Sequence, residues 1–234
     1  KEYIDHGHDN IQLYVNGDNL GVNKNFESAL RKCDGDIIFL SDQDDIWEAY
    51  KVEHIINYFK NHEKCGLVFT DATLVDANNK VIGDSLWRKI KFDSSQTICF
   101  DDFLHGRFVT GATVAIRSKL LIQLLPIPQF WIHDAWLSVN AFILSDIYAL
   151  NEKTIRYRQH ENNVIGVERL SLIQKIRYRL CNIEESATFR KVMYERFKSL
   201  YKERKAEISV DDRKNLIKCI KFWKELYEIQ NIKK

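Results

Sequence analysis

Several things are scarce in this 234-residue sequence, and each scarcity removes a class of protein. No apolar run approaches the roughly 20 residues that a membrane-spanning helix needs. The best stretch, Ala135 to Leu144, is interrupted by Ser138 and Asn140. An excess of one charge is also missing. The 35 Lys and Arg nearly balance the 33 Asp and Glu, and the formal net charge of +2 argues against a dedicated nucleic-acid binder. The five cysteines, Cys33, Cys65, Cys99, Cys181 and Cys219, form no CxxC pair and no Cys/His ligand spacing. An odd number of scattered cysteines reads as reduced thiols in a cytoplasmic protein. No signal-peptide pattern opens the chain. Residues 1–8 read as a helix end and a turn, so the chain is expected to be cut from a longer one.

What is present is enough for one sizeable domain with an appendage. Apolar residues are 45% of the total, sufficient for a packed core, and charged residues are 29%, an ordinary surface. Ile11 to Val15 reads as a short strand. Asn25 to Cys33 has helical spacing. Ile37-Ile38-Phe39-Leu40 is continuously apolar, as in a strand buried on both faces. A helix is predicted over about Tyr50 to Asn61, with Val52, Ile55, Ile56 and Phe59 inward. A buried strand is predicted over Gly66 to Thr70, and a hairpin-like turn at Asn78-Asn79. Val109 to Ile116 reads as a strand, Ser118 to Leu125 and Asp134 to Leu144 as helices, and Ile147 to Arg158 as extended. This order gives an α/β fold, Rossmann-like, with a mostly parallel sheet flanked by helices. After about Ser171 only helical patterns rich in Lys, Arg and Glu remain. They form an all-helical C-terminal extension, and the expected division is 1–168 and 169–234.

The sharpest local feature is Asp42-Gln43-Asp44-Asp45, directly after the buried run. Ligands of open α/β sheets bind beyond the carboxyl ends of strands. Carboxylates crowded there repel one another unless a cation joins them. Oxygen ligands of this kind suit Mg²⁺ or Mn²⁺ shared with substrate phosphates. Asp42 and Asp44 fall on one side if strand geometry persists. Asp45 serves equally well as a cap for the following helix.

These residues carry a family resemblance. Leu40 to Trp47 resembles the DxD-containing motif of bacterial family 2 glycosyltransferases, especially their rhamnosyltransferase-like branch. Asn19-Leu20-Gly21-Val22 with Asn25-Phe26 resembles the segment before that motif. Thr110-Gly111-Ala112-Thr113 resembles a glycine-containing loop near donor sugar and acceptor. His133-Asp134-Ala135-Trp136 resembles the motif of the catalytic base. Tyr157-Arg158-Gln159-His160 with Asn162, Asn163 and Gly166 resembles the closing motif. The likeness runs from about Asn10 to Gly166. It departs in lacking the family's opening strand-helix-strand, and at Arg107 and Glu161.

The resemblance implies a GT-A fold and an inverting transfer from a UDP- or dTDP-sugar to an acceptor hydroxyl, on a saccharide or lipid-linked saccharide. It implies Asp44 and Asp42 as ligands of Mn²⁺ or Mg²⁺, His160 as a third contact and Asp134 as general base. Donor or acceptor contacts fall to Asp45, Gly111, Ala112, His133, Trp136, Arg158 and Asn25. Trp136 also fits a core position, Arg158 a surface ion pair, Asp134 a helix N-cap, and Asp71 either the cleft or a turn. Surface-polysaccharide synthesis is the expected setting. The basic, aromatic-bearing helices after Ser171 fit packing on the catalytic domain or a peripheral contact with the inner face of the plasma membrane. Two rivals stand beside this reading. One is a DxD-type metal-dependent phosphatase. The other is an inactive or partial transferase that binds sugar or a partner without turnover.

Overall fold

The computed structural model describes residues 10–105, 108–159 and 183–232. The elements run α1 (Gly21–Leu30), β1 (Ile37–Phe39), β2 (Ile46–Trp47), α2 (Lys51–Asn61), β3 (Cys65–Val75), β4 (Val81–Gly83), α3 (Leu86–Ile90) and α4 (Phe100–His105). A single 3₁₀ turn (Gly111–Thr113) leads into β5 (Val114–Arg117), α5 (Ser118–Leu124), α6 (His133–Leu144) and β6 (Asp146–Arg158). Two long helices, α7 (Ile183–Arg204) and α8 (Val210–Ile232), complete it.

The sheet has the order β1-β5-β3-β6-β2, with β4 paired to β3 off that path. The expected α/β class holds, but the sheet is mixed and not mostly parallel. Among the described strands only β3 and β6 pair in parallel. β5 lies between β1 and β3 and runs against both. β1, β3 and β6 therefore share one direction, which is what brings their carboxyl ends to one side.

β3 is the spine. Leu67, Val68 and Phe69 are fully buried, because alternate side chains enter opposite layers. Leu67 and Phe69 face the larger cluster with Val114, Ile116, Trp136 and Leu137. Val68 faces the smaller one with Ala115, Ile55 and Phe59 of α2. Burying such side chains stabilises by about 1.5–3 kcal/mol each. Val52, expected inward, lies on the outer face of α2, and Lys51 is buried in its place.

The Asn78-Asn79 turn forms as expected. Asp76 accepts from the amides of Asn78 and Lys80, and Asn79 takes a left-handed φ of 64°. Ile11 to Val15, expected as a strand, has no regular structure, with Leu13 and Val15 exposed and no strand partner among the described residues.

The C-terminal helices are built into the main core. Phe197, Leu200, Ile208 and Leu216 are buried in the same cluster as the sheet residues. Trp131 donates through Nε1 to the Arg196 carbonyl at 3.1 Å and to Ser199 Oγ at 3.0 Å. Arg204 donates to Asn140 Oδ1 at 2.6 Å and to the Gln123 carbonyl at 2.7 Å. Packing on the α/β layer is thus the observed role of α7 and the start of α8. The expected boundary at 168/169 lies outside the described residues. No helix among the described residues is long and apolar enough to cross a membrane.

Candidate active site

The acidic turn is the link between the two edges of the sheet. β1 lies at one edge and β2 at the other, so residues 40–45 connect across the carboxyl end. Leu40 anchors the departure, buried and donating its amide to the Val114 carbonyl at 3.0 Å. Strand geometry stops at Phe39, so the period-two relation expected between Asp42 and Asp44 gives way to a turn at Gln43-Asp44.

The three carboxylates nevertheless sense one another. Burial pushes the Asp42 carboxyl above its ordinary range; Asp44 and Asp134 add to this, and His133 opposes it. Asp45 is pushed up to about 6, first by burial, against the amide of Arg158 and with Asp42 and Asp44. Asp45 is no helix cap, since α2 opens on Tyr50 without a side-chain cap. Its Oδ1 accepts from the Arg158 amide at 2.9 Å. Its Oδ2 is buried without a partner.

An aspartate raised from 3.8 to about 6 holds a proton in the folded chain that the unfolded chain has already released. The linked stability is present in full below about pH 4 and is lost as pH rises through about 6. Metal-free thermal melts should therefore lose Tm between about pH 4 and pH 6, and Asp45→Asn should flatten that slope. Parallel slopes for both proteins would remove Asp45 from the account.

Asp134 comes from the opposite side. It lies in the first turn of α6, whose N-cap is Ile132. Hence Asp134 is not the cap; its Oδ1 accepts from the adjacent Ala135 amide at 2.6 Å. It is buried at 7% exposure. A helix N-terminus favours the charged carboxylate there.

His133 precedes it. The His133 ring stacks on Phe26 at 3.9 Å and 12°, and its amide donates to Asn23 Oδ1 at 3.0 Å. Burial lowers the His133 pKa, while Asp134 and Asp42 pull it back up. Gly111 packs directly against this ring: a Cβ there would lie 2.8 Å from His133 Nε2. Because Phe26 blocks the retreat of the imidazole, Gly111→Ala should cost about 1–3 kcal/mol. Urea denaturation checks this, and an unchanged midpoint would mean that His133 moves freely.

Tyr157 stands between the two halves. Its hydroxyl is pushed up to about 12, by burial first and then by Asp45, Asp42, Asp44 and Asp134. The phenol feels the charge of both the acidic turn and Asp134, so both lie in its neighbourhood.

Among the described residues, Asp45, Trp47, His133 and Gln159 each carry a buried side-chain N or O atom without a protein hydrogen-bond partner. Leaving such an atom unpaired costs on the order of 1–3 kcal/mol, and a water, an ion or a ligand group can satisfy it. Among the described residues no group of three His, Cys, Asp or Glu forms a ready-made metal cage. The donor set still fits a hard divalent cation, which takes one or two carboxylates and fills its remaining positions with phosphate oxygens and water. His160 lies outside the described residues.

Three assignments are corrected by geometry. Trp136 is fully buried, donates through Nε1 to the Leu124 carbonyl at 2.7 Å and packs on Trp131, so it is core and not a sugar platform. Arg158 braces the loops: its guanidinium reaches the carbonyls of Asp44, Asp76 and Ala77 and Oδ1 of Asn79. It locks the acidic turn to the β3-β4 hairpin. Asn25 is exposed and accepts from Asn16 at 2.8 Å. Asn23 and Phe26 are the α1 residues that reach His133, one at its amide and the other at its ring. Asp71 resolves to the turn role, accepting from the amides of Ala72 and Trp87 and from Ser85 Oγ. Ala112 is buried, and its carbonyl accepts from Lys51 Nζ at 2.8 Å. Asn23, Lys51 and Tyr157 were missed as site residues; for Tyr157, its place beside Arg158 on β6 was the available signal.

An acidic turn at the carboxyl end of an α/β layer, with a further carboxylate at a helix start, suits a phosphate-bearing ligand held through a divalent cation. The family model for glycosyl transferase family 2 matches residues 1–124. The chain belongs to that glycosyltransferase family. It is 27% identical over 218 residues to the dTDP-rhamnosyl transferase RfbG of Shigella flexneri, covering 87% of this chain and 71% of that one. It is 23% identical over 150 residues to the uncharacterized glycosyltransferase alr2836 of Nostoc sp., covering 62% and 46%. A crystal structure of S. aureus TarS, residues 1–349, superimposes with a TM-score of 0.58 at 10% identity and supports the fold. The match covers 94% of this chain and 56% of that one.

Proposed function

We propose that this chain carries the catalytic centre of an inverting glycosyltransferase that moves a sugar from a dTDP- or UDP-sugar to an acceptor hydroxyl. The observation that carries the reading is the acidic turn linking β1 to β2 at the carboxyl end of the sheet, with Asp42 near enough to His133 and Asp134 to feel their charge. Asp44 and Asp42 would hold Mn²⁺ or Mg²⁺, with His160 as a further contact. When bound, the ion supplies Lewis-acid stabilisation of charge on the leaving diphosphate.

The chain's own residues do the rest. Asp134 takes the proton from the acceptor hydroxyl, a role of general bases worth about 10²–10⁴-fold in rate. The Ala135 amide at the start of α6 orients that carboxylate. His133 and Gly111 form the wall beside it. The unpartnered Asp45, Trp47 and Gln159 atoms offer contacts to nucleotide or sugar. Rhamnose as donor sugar is supported by the relative whose name states a dTDP-rhamnosyl transferase; surface-polysaccharide synthesis is the setting we propose with it.

The acceptor would be a saccharide or lipid-linked saccharide met at the inner face of the plasma membrane. Phe189, Phe222 and Ile229 support this, exposed on the two long helices among Lys and Arg. Family membership removes the phosphatase rival.

The test is release of nucleoside diphosphate from dTDP-rhamnose and a panel of UDP-sugars. Release that needs Mn²⁺ and stops with EDTA is expected. A well-folded chain that binds no nucleotide with Mn²⁺ would favour the inactive binding module.

A further inference from the structure

Lys51 is the first residue of α2 and is fully buried, unusual for an ammonium. Its Nζ donates to the Ala112 carbonyl at 2.8 Å. The same nitrogen sits 4.2 Å above the Trp47 ring. These contacts join the strand leaving the acidic turn and the start of α2 to the Gly111–Thr113 turn, whose Ala112 lies 61 residues away in sequence. That turn in turn packs its Gly111 against His133, the neighbour of Asp134. The link from Lys51 to the base therefore runs through Ala112, Gly111 and His133.

A buried ammonium needs compensation, and a single carbonyl with one ring face gives only part of it. Burial pulls the Lys51 pKa down to about 8, and the Asp45 carboxylate opposes this. An apolar residue of similar length would fill the same space without this cost.

From this geometry, and resting on the transferase reading above, we infer that Lys51 is a positioning residue. It pins the 110–113 turn to the acidic turn and so sets the gap between the held donor and Asp134. Lys51 touches no substrate; it acts through the Ala112 carbonyl.

Two consequences separate this role from plain scaffolding. Removing the ammonium frees the 110–113 turn while leaving the carboxylates in place. It also deletes a positive charge beside those carboxylates, so divalent-cation affinity holds or rises while turnover falls. General collapse of the site would lower both together.

The experiment compares wild type with Lys51→Met on the full chain. Three quantities are read: Mn²⁺ affinity by titration, amide exchange of the 110–114 segment, and donor turnover. Expected for Lys51→Met are Mn²⁺ affinity equal to or up to about threefold tighter than wild type and about tenfold faster exchange at 110–114, with β3 peptides unchanged. A kcat about 100-fold lower at nearly constant donor KM completes the expectation, a share of what orientation supplies to a reaction. Unchanged exchange and unchanged kcat in folded Lys51→Met would overturn the inference. So would loss of Mn²⁺ binding in step with kcat, which would make Lys51 part of the scaffold of the acidic turn. If wild type itself neither binds Mn²⁺ nor turns over donor, the transferase reading fails instead; the exchange arm alone then decides whether Lys51 pins the turn.

Discussion

Asp134→Asn should slow sugar transfer by about 10³-fold or more while leaving nucleotide and Mn²⁺ binding within about twofold of wild type. The substitution keeps size and can keep the bond from the Ala135 amide, which Oδ1 accepts at 2.6 Å. It removes only the ability to take a proton. Asp134 is in the first turn of α6, away from the acidic turn in sequence, so donor affinity has no reason to follow. The measurement is kcat beside a calorimetric titration of dTDP with Mn²⁺. Retained turnover would eliminate Asp134 as base. Joint loss of turnover and binding would place it in the donor pocket instead.

The second large effect belongs to Asp44→Ala. Removing one carboxylate from the acidic turn should abolish Mn²⁺-dependent nucleotide binding, with affinity down by about 100-fold or more, because the cation loses a direct oxygen ligand where few protein ligands exist. The backbone should stay in place, because the bond that Arg158 donates to the Asp44 carbonyl at 2.8 Å survives the substitution. Melting temperature should accordingly change little. Metal titration and thermal melts on the same sample separate the two effects. Intact Mn²⁺-dependent binding in Asp44→Ala would remove it from the ligand set.

The contrast between these two residues and the corrected ones shows where sequence information ends. The acidic turn was legible because its signal is local: four apolar residues, then carboxylates, at a strand end. Asp134 was legible through its motif at a helix start. Trp136 was not, because helical spacing puts core aromatics and ligand-facing aromatics at the same positions. Lys51 was not, because its partner lies 61 residues away, and a lysine opening an amphipathic helix looks solvated. Arg158 presented the same problem, with acceptors 79 to 114 residues away in sequence.

The sheet follows the same rule. A buried apolar run carries no mark of the direction of its neighbour, so β5, set antiparallel between β1 and β3, could not be read from its own residues. β2, two residues long, is too short for any periodicity and is defined only by its pairing with β6. The appendage was legible as helices but not as part of the core. Phe197, Leu200 and Leu216 reveal their role only against Trp131 and its neighbours.

Anomalous diffraction from crystals grown with Mn²⁺ and dTDP tests the central claim most directly. The account predicts one manganese peak within ligand distance of Asp44 or Asp42, diphosphate oxygens on its other side, and the Asp134 carboxylate facing the same open cleft. Manganese bound elsewhere, or Asp134 separated from the nucleotide by packed side chains, would contradict it.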